Sequence, residues 1–257
     1  MKQPITSVWT RESRPARSTT LSRTQIVRAA VDLLDAEGMD SLSMRRLGAR
    51  LGSGATSIYW HVANKDELLE LVLDEVFGKV ALPAPATTGW RDEASAFAYG
   101  LRAALLAHPW AVTLVGTGPT LGPNAMELSA RLLSTFSQAG FTATEQEYAS
   151  SALLAYVLGV TTPEIAWSAA AAHSGMSDEE LTASMKPVVE QAARNYPELA
   201  ERYADYHGTG IDLQTARLLN FDFGLTCILD GLEARLSRSA QAQATPHARP
   251  GAGGGAG

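Results

Sequence analysis

The chain has 257 residues, of which 46% are hydrophobic and 19% are charged, and its formal net charge is −6. This length predicts one large or two modest domains, and the hydrophobic content excludes disorder of the whole chain. No apolar run approaches the roughly 18 residues of a membrane span, and the polar N-terminus lacks the apolar segment of a secretory signal. The single cysteine, Cys227, excludes an internal disulfide and a cysteine-based zinc site. We therefore expect a cytoplasmic protein with no membrane partner.

The charge is divided unevenly along the chain. Residues 1–65 carry ten basic and five acidic side chains, a net charge of +5, so the remainder carries −11. Because an acidic body repels a polyanion, any contact with nucleic acid is expected within the first quarter of the chain. The alternative is that this basic segment is an ordinary solvated surface.

The periodicity of the apolar residues predicts an all-α fold. Residues 1–20 are expected to be a disordered arm. Ser22, Ser43 and Asn64 are candidate N-caps, and Glu67 completes a capping box with Asn64. The expected helices of the first domain lie at about 23–37, 44–51, 55–61 and 65–80.

A composition break at residues 81–89, with two prolines, is the predicted domain boundary. It separates a first domain, 21–80, from a larger helical domain, 81–237. Residues 178–206 are expected to hold one or two looser helices, and residues 238–257 a disordered tail. The remaining helices are expected at about 90–108, 124–139, from 145 onward, and 212–236.

Residues 42–65 form the most informative block, because two short helices joined by a glycine-bearing turn predict a helix-turn-helix. The turn at 52–54 calls for glycine where φ is positive or where two helices approach closely. The second of these helices is small and polar at its start, which suits approach to base edges and phosphates. An ordinary helical hairpin in a core fits the spacing equally well.

Two strings in this block resemble the DNA-binding domain of the TetR family of bacterial transcription regulators: Ser57-Ile58-Tyr59-Trp60-His61-Val62 and Asn64-Lys65-Asp66-Glu67-Leu68. Leu42-Ser43-Met44-Arg45-Arg46-Leu47 fits the helix before them. The resemblance covers about residues 22–80 and implies a reading head that binds double-stranded DNA. The residues it implies at the DNA are Arg45, Ala55, Thr56, Ser57, Tyr59, Trp60, His61 and Lys65.

Some of these basic and aromatic residues have other interpretations. Arg46 and Arg50 fit solvated helix charges or weak phosphate contacts, and Trp60 also fits a packing role between helices. The arginines of the N-terminal arm suit either a minor-groove contact or a solvated tail. They are Arg11, Arg14 and Arg17.

The second half resembles, more weakly, the ligand-binding and dimerisation domain of the tetracycline-repressor branch of the same family. The matching strings are Leu105-Leu106-Ala107-His108, Gly116-Thr117-Gly118-Pro119-Thr120, Gln138-Ala139-Gly140-Phe141 and Gly231-Leu232-Glu233. Leu114 stands where that branch has a metal-ligating histidine, Leu132 where it has a polar pocket residue, and Pro163 where it has the pocket glutamate, with Glu164 one place off. Tetracycline and magnesium are therefore not implied, and we expect no metal and no cofactor.

The apolar faces of the second domain predict a largely apolar effector pocket. About half of the candidates are expected to touch a ligand and the rest to be core. The apolar candidates are Phe97, Leu101, Leu105, Trp110, Leu114, Leu132, Phe136, Tyr156 and Trp167. Thr117, Tyr148 and Glu164 are the candidates for polar groups that orient the ligand.

Two helices predict self-association. Leu218, Phe221, Leu225, Ile228 and Leu232 step by three and four, as in a coiled-coil seam. Ala152, Ala155 and Gly159 form a face of small residues. Packing within one chain is the alternative, whereas the resemblance implies a four-helix bundle across a two-fold axis. Cys227, between apolar neighbours, is expected to be a buried, inert thiol.

The sequence thus predicts a homodimeric DNA-binding regulator, interpreted as a repressor of a palindromic operator that a ligand releases. An all-α enzyme that transforms its ligand is a second hypothesis, although the sequence shows no nucleophile–base or metal constellation. A non-specific DNA-coating protein is a third, against which the acidic body argues.

Overall fold

The computed structural model describes residues 7–10, 21–82, 89–118 and 120–244, and all regular structure within these ranges is helical. Short 3₁₀ turns cover Met39–Ser41, Pro109–Thr113 and Ala193–Asn195. The α-helices are α1 (Arg23–Glu37), α2 (Met44–Arg50), α3 (Ala55–Tyr59), α4 (Lys65–Phe77), α5 (Trp90–Ala107), α6 (Pro123–Ala139), α7 (Ala143–His173), α8 (Asp178–Ala192), α9 (Pro197–Gly208) and α10 (Leu213–Ala244). The predicted all-α class is confirmed.

Side-chain caps fix where the first helices begin. Ser22 forms a capping box with Gln25 at α1, and the Ser43 hydroxyl accepts a hydrogen bond from Arg46 N at α2. Asn64 Oδ1 accepts from Glu67 N at a distance of 2.8 Å. The predicted return bond differs, because the Glu67 carboxylate accepts from Ala63 N instead of Asn64 N. Each such cap contributes about 1 kcal/mol to helix stability.

The first domain packs α1 to α4 around one apolar centre. Ile26, Leu34, Leu47, Ile58 and Leu68 are all buried there. Burial of each such side chain stabilises the fold by about 1.5–3 kcal/mol relative to exposure. The centre holds α3 firmly although that helix has only five residues.

The second domain packs α5, α6 and α7 against one another, with α10 along α7. Phe136, Leu153 and Phe221 are fully buried between these helices. Trp90, Phe136 and Phe141 form a cluster of tilted and edge-on rings at the start of α5. In contrast, α8 contributes no buried residue. The core of the second domain is therefore a bundle of α5, α6, α7 and α10.

The prediction of a disordered arm over residues 1–20 is wrong for residues 7–10, which form a turn that packs on the first domain. Ser7 and Val8 are buried, and Ser7 Oγ donates to Glu70 Oε2 of α4 at 2.5 Å. Val8 and Trp9 are apolar and pack on the hydrophobic core. The polar residues around them in the sequence hid this packing from the prediction. Residues 1–6 and 11–20, including Arg11, Arg14 and Arg17, lie outside the described residues.

The predicted start of the C-terminal tail also changes. The tail predicted from residue 238 is wrong for its first part, because α10 continues to Ala244. Residues 238–244 are mostly Ala, Gln and Arg, which have high helix propensity and need no core to continue a long helix. Residues 245–257, and residues 83–88 of the predicted domain boundary, lie outside the described residues.

Helix α7 is unusual in length and polarity. Its 31 residues include a window apolar enough to cross a membrane by length and composition alone, with 28% of that window buried in the chain. The core helices of many globular proteins pass the same test. The exposed remainder of α7 is a surface that another element or chain can cover.

Candidate functional site

The turn between α2 and α3 depends on two glycines for different reasons. Gly52 has a φ of +62°, a conformation that side chains other than glycine rarely adopt. A Cβ on Gly48 would lie 2.9 Å from the Ser53 main-chain oxygen and 3.1 Å from Ala55 N, so the two helices approach too closely for any other residue. Gly54 has an ordinary φ of −71°. Gly48, which the sequence prediction overlooked, sets the packing of the turn.

Helix α3 presents one face to the core and the other to solvent. Ile58 is fully buried, whereas Tyr59 is 46% and Trp60 is 54% exposed. Thr56 is also exposed. Because large aromatic side chains are normally covered, two adjacent exposed ones favour a binding surface over a packing role for Trp60.

The other predicted DNA contacts surround this face. Arg45 on α2 and Lys65 at the start of α4 are exposed, while Ala55, Ser57 and His61 are half-buried. We call the surface formed by Arg45, Thr56, Tyr59, Trp60 and Lys65 the reading face. Arg46 instead pairs with Glu37 of α1, which fits the interpretation of Arg46 as a helix-surface charge.

A hydrogen-bonded junction joins the two domains. Trp110 Nε1 donates to Asp35 Oδ1 of α1 at 2.6 Å, and His108 Nδ1 lies 2.7 Å from the same oxygen. His108 Nε2 lies 2.9 Å from Lys79 Nζ. Trp110, predicted to line the effector pocket, is therefore a domain-junction residue. Local sequence patterns do not indicate this pairing because Asp35 lies 75 positions earlier.

A second junction joins α4 to the start of α6. The buried Asp74 carboxylate accepts from Ala125 N at 2.9 Å and from Asn124 Nδ2 at 3.0 Å. The N-cap of α6 is Gly122, which has no capping side chain, and a Cβ there would overlap Asp74. A helix of the first domain thus supplies the cap of a helix in the second.

Two cavities lie on either side of the end of α4. The bundle cavity, of about 220 Å³, lies between α5, α6 and α7. The described part of its lining is apolar apart from three serines and one carboxylate. The lining residues are Phe77, Phe97, Leu101, Ala125, Leu128, Ser129, Leu132, Leu133, Glu147, Ser150, Ser151 and Leu154.

The junction cavity, of about 340 Å³, lies between α4 and the connection that leads into α6. Phe77 and Ala125 line both cavities, so they form the wall between them. The lining residues are Trp9, Asp66, Leu69, Glu70, Leu73, Asp74, Phe77, Leu114, Thr117, Gly118, Thr120, Leu121, Gly122 and Ala125.

Both halves of the chain match known families. Residues 26–72 match "Bacterial regulatory proteins, tetR family", and residues 82–236 match "Tetracyclin repressor-like, C-terminal domain". The chain belongs to the TetR family. It is thus a transcription regulator of the helix-turn-helix type, as predicted, and TetR-family regulators bind DNA operators and dimerise.

Individual TetR-family relatives support this assignment. The chain is 35% identical over 236 residues to the HTH-type transcriptional repressor DrrR1 of Streptomyces coeruleorubidus, covering 90% of this chain and 85% of that one. It is 44% identical over 162 residues to an HTH-type transcriptional regulator of Saccharopolyspora erythraea, covering 63% and 69%. Apo ActR from Streptomyces coelicolor has a TM-score of 0.70 at 28% identity, over 87% of this chain and 100% of ActR. ActR in complex with actinorhodin has a TM-score of 0.68 at 29% identity, over 85% and 99%.

The structure divides the predicted effector-pocket residues of this TetR-family chain between several places. Phe97, Leu101 and Leu132 line the bundle cavity, whereas Leu114 and Thr117 line the junction cavity.

Other candidates lie outside both cavities. Leu105 and Phe136 are fully buried core residues, and Tyr148 is 68% exposed on the outside of α7. Tyr156 Oη donates to the Phe221 main-chain oxygen at 2.6 Å. Trp167 is half-buried on α7. Helical spacing predicted apolar or aromatic faces correctly but does not distinguish a packed face from one that borders a space.

Glu164, predicted to orient a ligand, is held in a buried ion network. Arg102 Nη2 lies 2.7 Å from Glu164 Oε2, and Arg217 Nη1 lies 3.9 Å from Glu164 Oε1. Arg217 also pairs with Asp178 at 2.5 Å. Burial raises the pKa of Asp178, but hydrogen bonds donated by Ser168 and Arg217 outweigh it and leave that pKa below its ordinary value. The network ties α5, α7, α8 and α10 together.

The predicted association face on α10 requires correction. Phe221 and Leu225 are buried in the chain's own core, and Ile228 and Leu232 are half-buried against it. The exposed apolar residues of α10 lie on a different face, which includes Leu218 and, one position on, Leu219.

The outward face of α10 continues through Phe223, which is 74% exposed, and Cys227. The expectation of a buried thiol is therefore wrong. On α7, Ala152, Ala155 and Gly159 are all exposed. Helix α10 is apolar on two sides, so a three-four spacing alone did not identify which side faces outward.

Proposed function

We propose that this TetR-family regulator represses transcription as a homodimer on an inverted-repeat operator and is released by a largely apolar effector in the bundle cavity. The observation that carries the proposal is the position of Phe77, a residue of the helix that begins at the reading face and ends in the wall of the bundle cavity. One rigid element therefore touches both the DNA side and the ligand side. We place this activity in the cytoplasm, where operator DNA lies.

The reading face supports direct recognition of the DNA major groove. Thr56 suits contact with base edges, and Arg45 with a base edge or the adjacent phosphate. The Tyr59 hydroxyl, the Trp60 indole and the Lys65 ammonium are donors that suit the phosphate backbone. Within the described residues the basic side chains near α3 are few, so specificity is expected from a small set of contacts in each protomer.

Selection of bound sequences from random DNA tests this directly. We expect an inverted repeat whose half-sites lie about one helical turn, 34–36 Å, or somewhat more apart. Arg45→Ala and Tyr59→Ala should each weaken binding by about 1–3 kcal/mol in a folded protein, with Arg46→Ala, whose side chain pairs with Glu37, as the matched control. Unchanged affinity in both folded variants would show that this block does not read DNA.

The outward faces of α7 and α10 support the dimer. Tyr156 on α7 packs against Gly224 of α10, where any Cβ would lie 2.6 Å from the tyrosine ring, so the two helices lie close together. Their outward apolar residues form the association face, which we define by Ala155, Gly159, Leu219 and Phe223. Burial of this face against a second copy stabilises the dimer by about 25 cal/mol for each Å² of apolar area removed from water.

The bundle cavity suits a neutral, apolar effector. Its volume is below the roughly 300–1,000 Å³ of ligand pockets, so a polycyclic ligand requires a wider form of the bundle. A ligand that binds only the wider form shifts the population toward it and displaces Phe77 with the wall. Ser129, Ser150 and Ser151 offer hydroxyl groups that orient the ligand. Among the described residues, this lining contains Glu147 as its single carboxylate and no histidine, which is a poor donor set for a divalent metal ion.

Release of operator DNA in a ligand screen, repeated with a chelator, tests this part. Leu133→Trp, which fills the bundle cavity, should abolish the response of the protein to its inducer while leaving operator affinity unchanged. Ser134→Trp, one residue along on the exposed side of α6, is the matched control. An inducer that strictly requires magnesium, or a nucleotide or sugar phosphate as the best inducer, would contradict the proposal.

A further inference from the structure

The junction cavity differs from the bundle cavity in both position and chemistry. It lies between α4 and the connection that leads into α6, and only Phe77 and Ala125 are common to the two linings. At about 340 Å³ it is also the larger of the two and has the volume of a small-molecule site. A ligand in this cavity would contact α4 directly.

One wall of the junction cavity comes from the N-terminal segment. Val8 is buried, and the hydrogen bond from Ser7 Oγ to Glu70 anchors the segment on α4. This anchoring holds the half-buried Trp9 at the cavity, which Leu114 and Leu121 also line. The indole supplies a large aromatic face that suits both an apolar ring and a cation.

The face of α4 that lines the junction cavity carries two parallel rows of side chains. Leu69, Leu73 and Phe77 recur every four residues and form an apolar base. Asp66 and Glu70 lie in the same way in a neighbouring row. Side chains four residues apart share one helix face, so both rows face the same space.

The charges of this lining have one sign. Among the described residues it contains three carboxylates and no Lys, Arg or His. Asp74 is already engaged by the main chain and side chain at the start of α6. The remaining carboxylates that a ligand's positive charge would approach are Asp66 and Glu70, although Glu70 also accepts a hydrogen bond from the neutral Ser7 hydroxyl.

We propose that the junction cavity binds an organic cation with an aromatic body, its charge beside Asp66 and Glu70 and its rings between Trp9 and the leucines of α4. A carboxylate pair beside an apolar base and an indole is complementary to this class of molecule and to no anion. The site goes beyond the proposed release by an apolar effector and can be present or absent independently of it.

A matched series of pyrene probes tests the proposal on the full chain: 1-pyrenemethylamine, 1-pyrenemethanol and 1-pyreneacetic acid. The three share one ring system and differ in charge at pH 7. Binding is followed by the fluorescence anisotropy of pyrene in the absence of DNA. We expect the amine to bind about fivefold to tenfold more tightly than the alcohol, the advantage that one or two partly exposed ion pairs supply, and the acid to bind most weakly.

Four variants locate the bound probe. The double variant Asp66→Asn/Glu70→Gln should reduce the amine-to-alcohol ratio to below about twofold, and Trp9→Ala should weaken both probes while keeping their ratio. Glu75→Gln, an exposed position on the same helix, should change nothing. Glu147→Gln removes the carboxylate of the bundle cavity and should also leave the ratio unchanged.

Three results would overturn the proposal, provided that far-ultraviolet circular dichroism shows each variant folded. They are equal binding of amine and alcohol, a ratio that survives the double variant, and a ratio that Glu147→Gln abolishes. The last would place the cation in the bundle cavity. A failed operator-release screen with a preserved amine preference would refute the proposed effector site and leave this one standing.

Discussion

The hydrogen bonds from Asp74 to the start of α6 make a strong prediction, because one carboxylate serves as the cap of a helix in another domain. Replacing Asp74 by alanine removes the acceptor of Ala125 N at 2.9 Å and of Asn124 Nδ2 at 3.0 Å. Ala125 N is then left without its partner in a site where Asp74 itself is buried, whereas Asn124 Nδ2 keeps its second acceptor, the Asp74 main-chain oxygen, at 3.0 Å.

The size of the effect follows from three contributions. Loss of a helix cap costs about 1 kcal/mol, and an unsatisfied buried donor costs about 1–3 kcal/mol. A negative charge near a helix N-terminus contributes about 0.3–1 kcal/mol more. We expect Asp74→Ala to lower the free energy of unfolding by about 2–5 kcal/mol. Asp74→Asn, which keeps an acceptor but not the charge, should cost about 1 kcal/mol.

Urea unfolding followed by circular dichroism at one fixed protein concentration measures these differences, since the stability of a dimer depends on concentration. Glu75→Ala, on the exposed face one residue along, is the control and should change stability by less than about 0.5 kcal/mol. An Asp74→Ala protein as stable as the control would show that the cap across the domains contributes nothing to stability.

Three further predictions concern the turn, the association face and the ion network. Gly48→Ala places a Cβ 2.9 Å from the Ser53 main-chain oxygen and should weaken operator binding in a gel-shift assay, whereas Ala49→Ser, on an exposed position, should not. Phe223→Glu should convert the dimer to a monomer in analytical ultracentrifugation, and Met126→Glu, an exposed apolar residue of α6, should leave it dimeric; a dimeric Phe223→Glu protein would contradict the association face. Because the pKa of Asp178 is lowered by folding, its stabilisation is present above the unfolded value, about 3.9, and is lost as pH falls through the lower folded value. In Asp178→Asn the free energy of unfolding should therefore depend less on pH below about pH 4 than in the unchanged protein. An unchanged dependence on pH would count against the network.

Local features of the sequence predicted the first domain well for a physical reason. Ser22, Ser43 and Asn64 act as caps through contacts three residues away, and Gly52 takes the positive φ that the turn requires. Such interactions lie within a few residues of chain and can be read from spacing alone. The packing role of Gly48 was missed because it depends on how closely two helices approach.

Long-range features of the second domain were predicted less well. The indole of Trp110 looks like a pocket wall in sequence, yet its partner Asp35 belongs to another domain. On α10, Phe221 and Leu225 pack inward while Leu219 and Phe223 face outward, and both pairs are apolar at spacing four. Periodicity shows that a face is apolar, but what covers that face depends on contacts far along the chain or on a second chain.

Helix α4 is where the DNA-binding and ligand-binding parts of the molecule meet. It begins with Lys65 at the reading face, bears the Asp74 cap of α6 in its last turns, and ends with Phe77 between the two cavities. A hundredfold loss of operator affinity corresponds to about 2.7 kcal/mol, which is within the usual range of coupling between two sites. Breaking the Asp74 contacts is expected to cost about as much again, so an effector that favours the form without them must provide both amounts through its own binding. The physical requirement is only that the effector bind more tightly to a form in which α4 and α6 have lost their mutual cap.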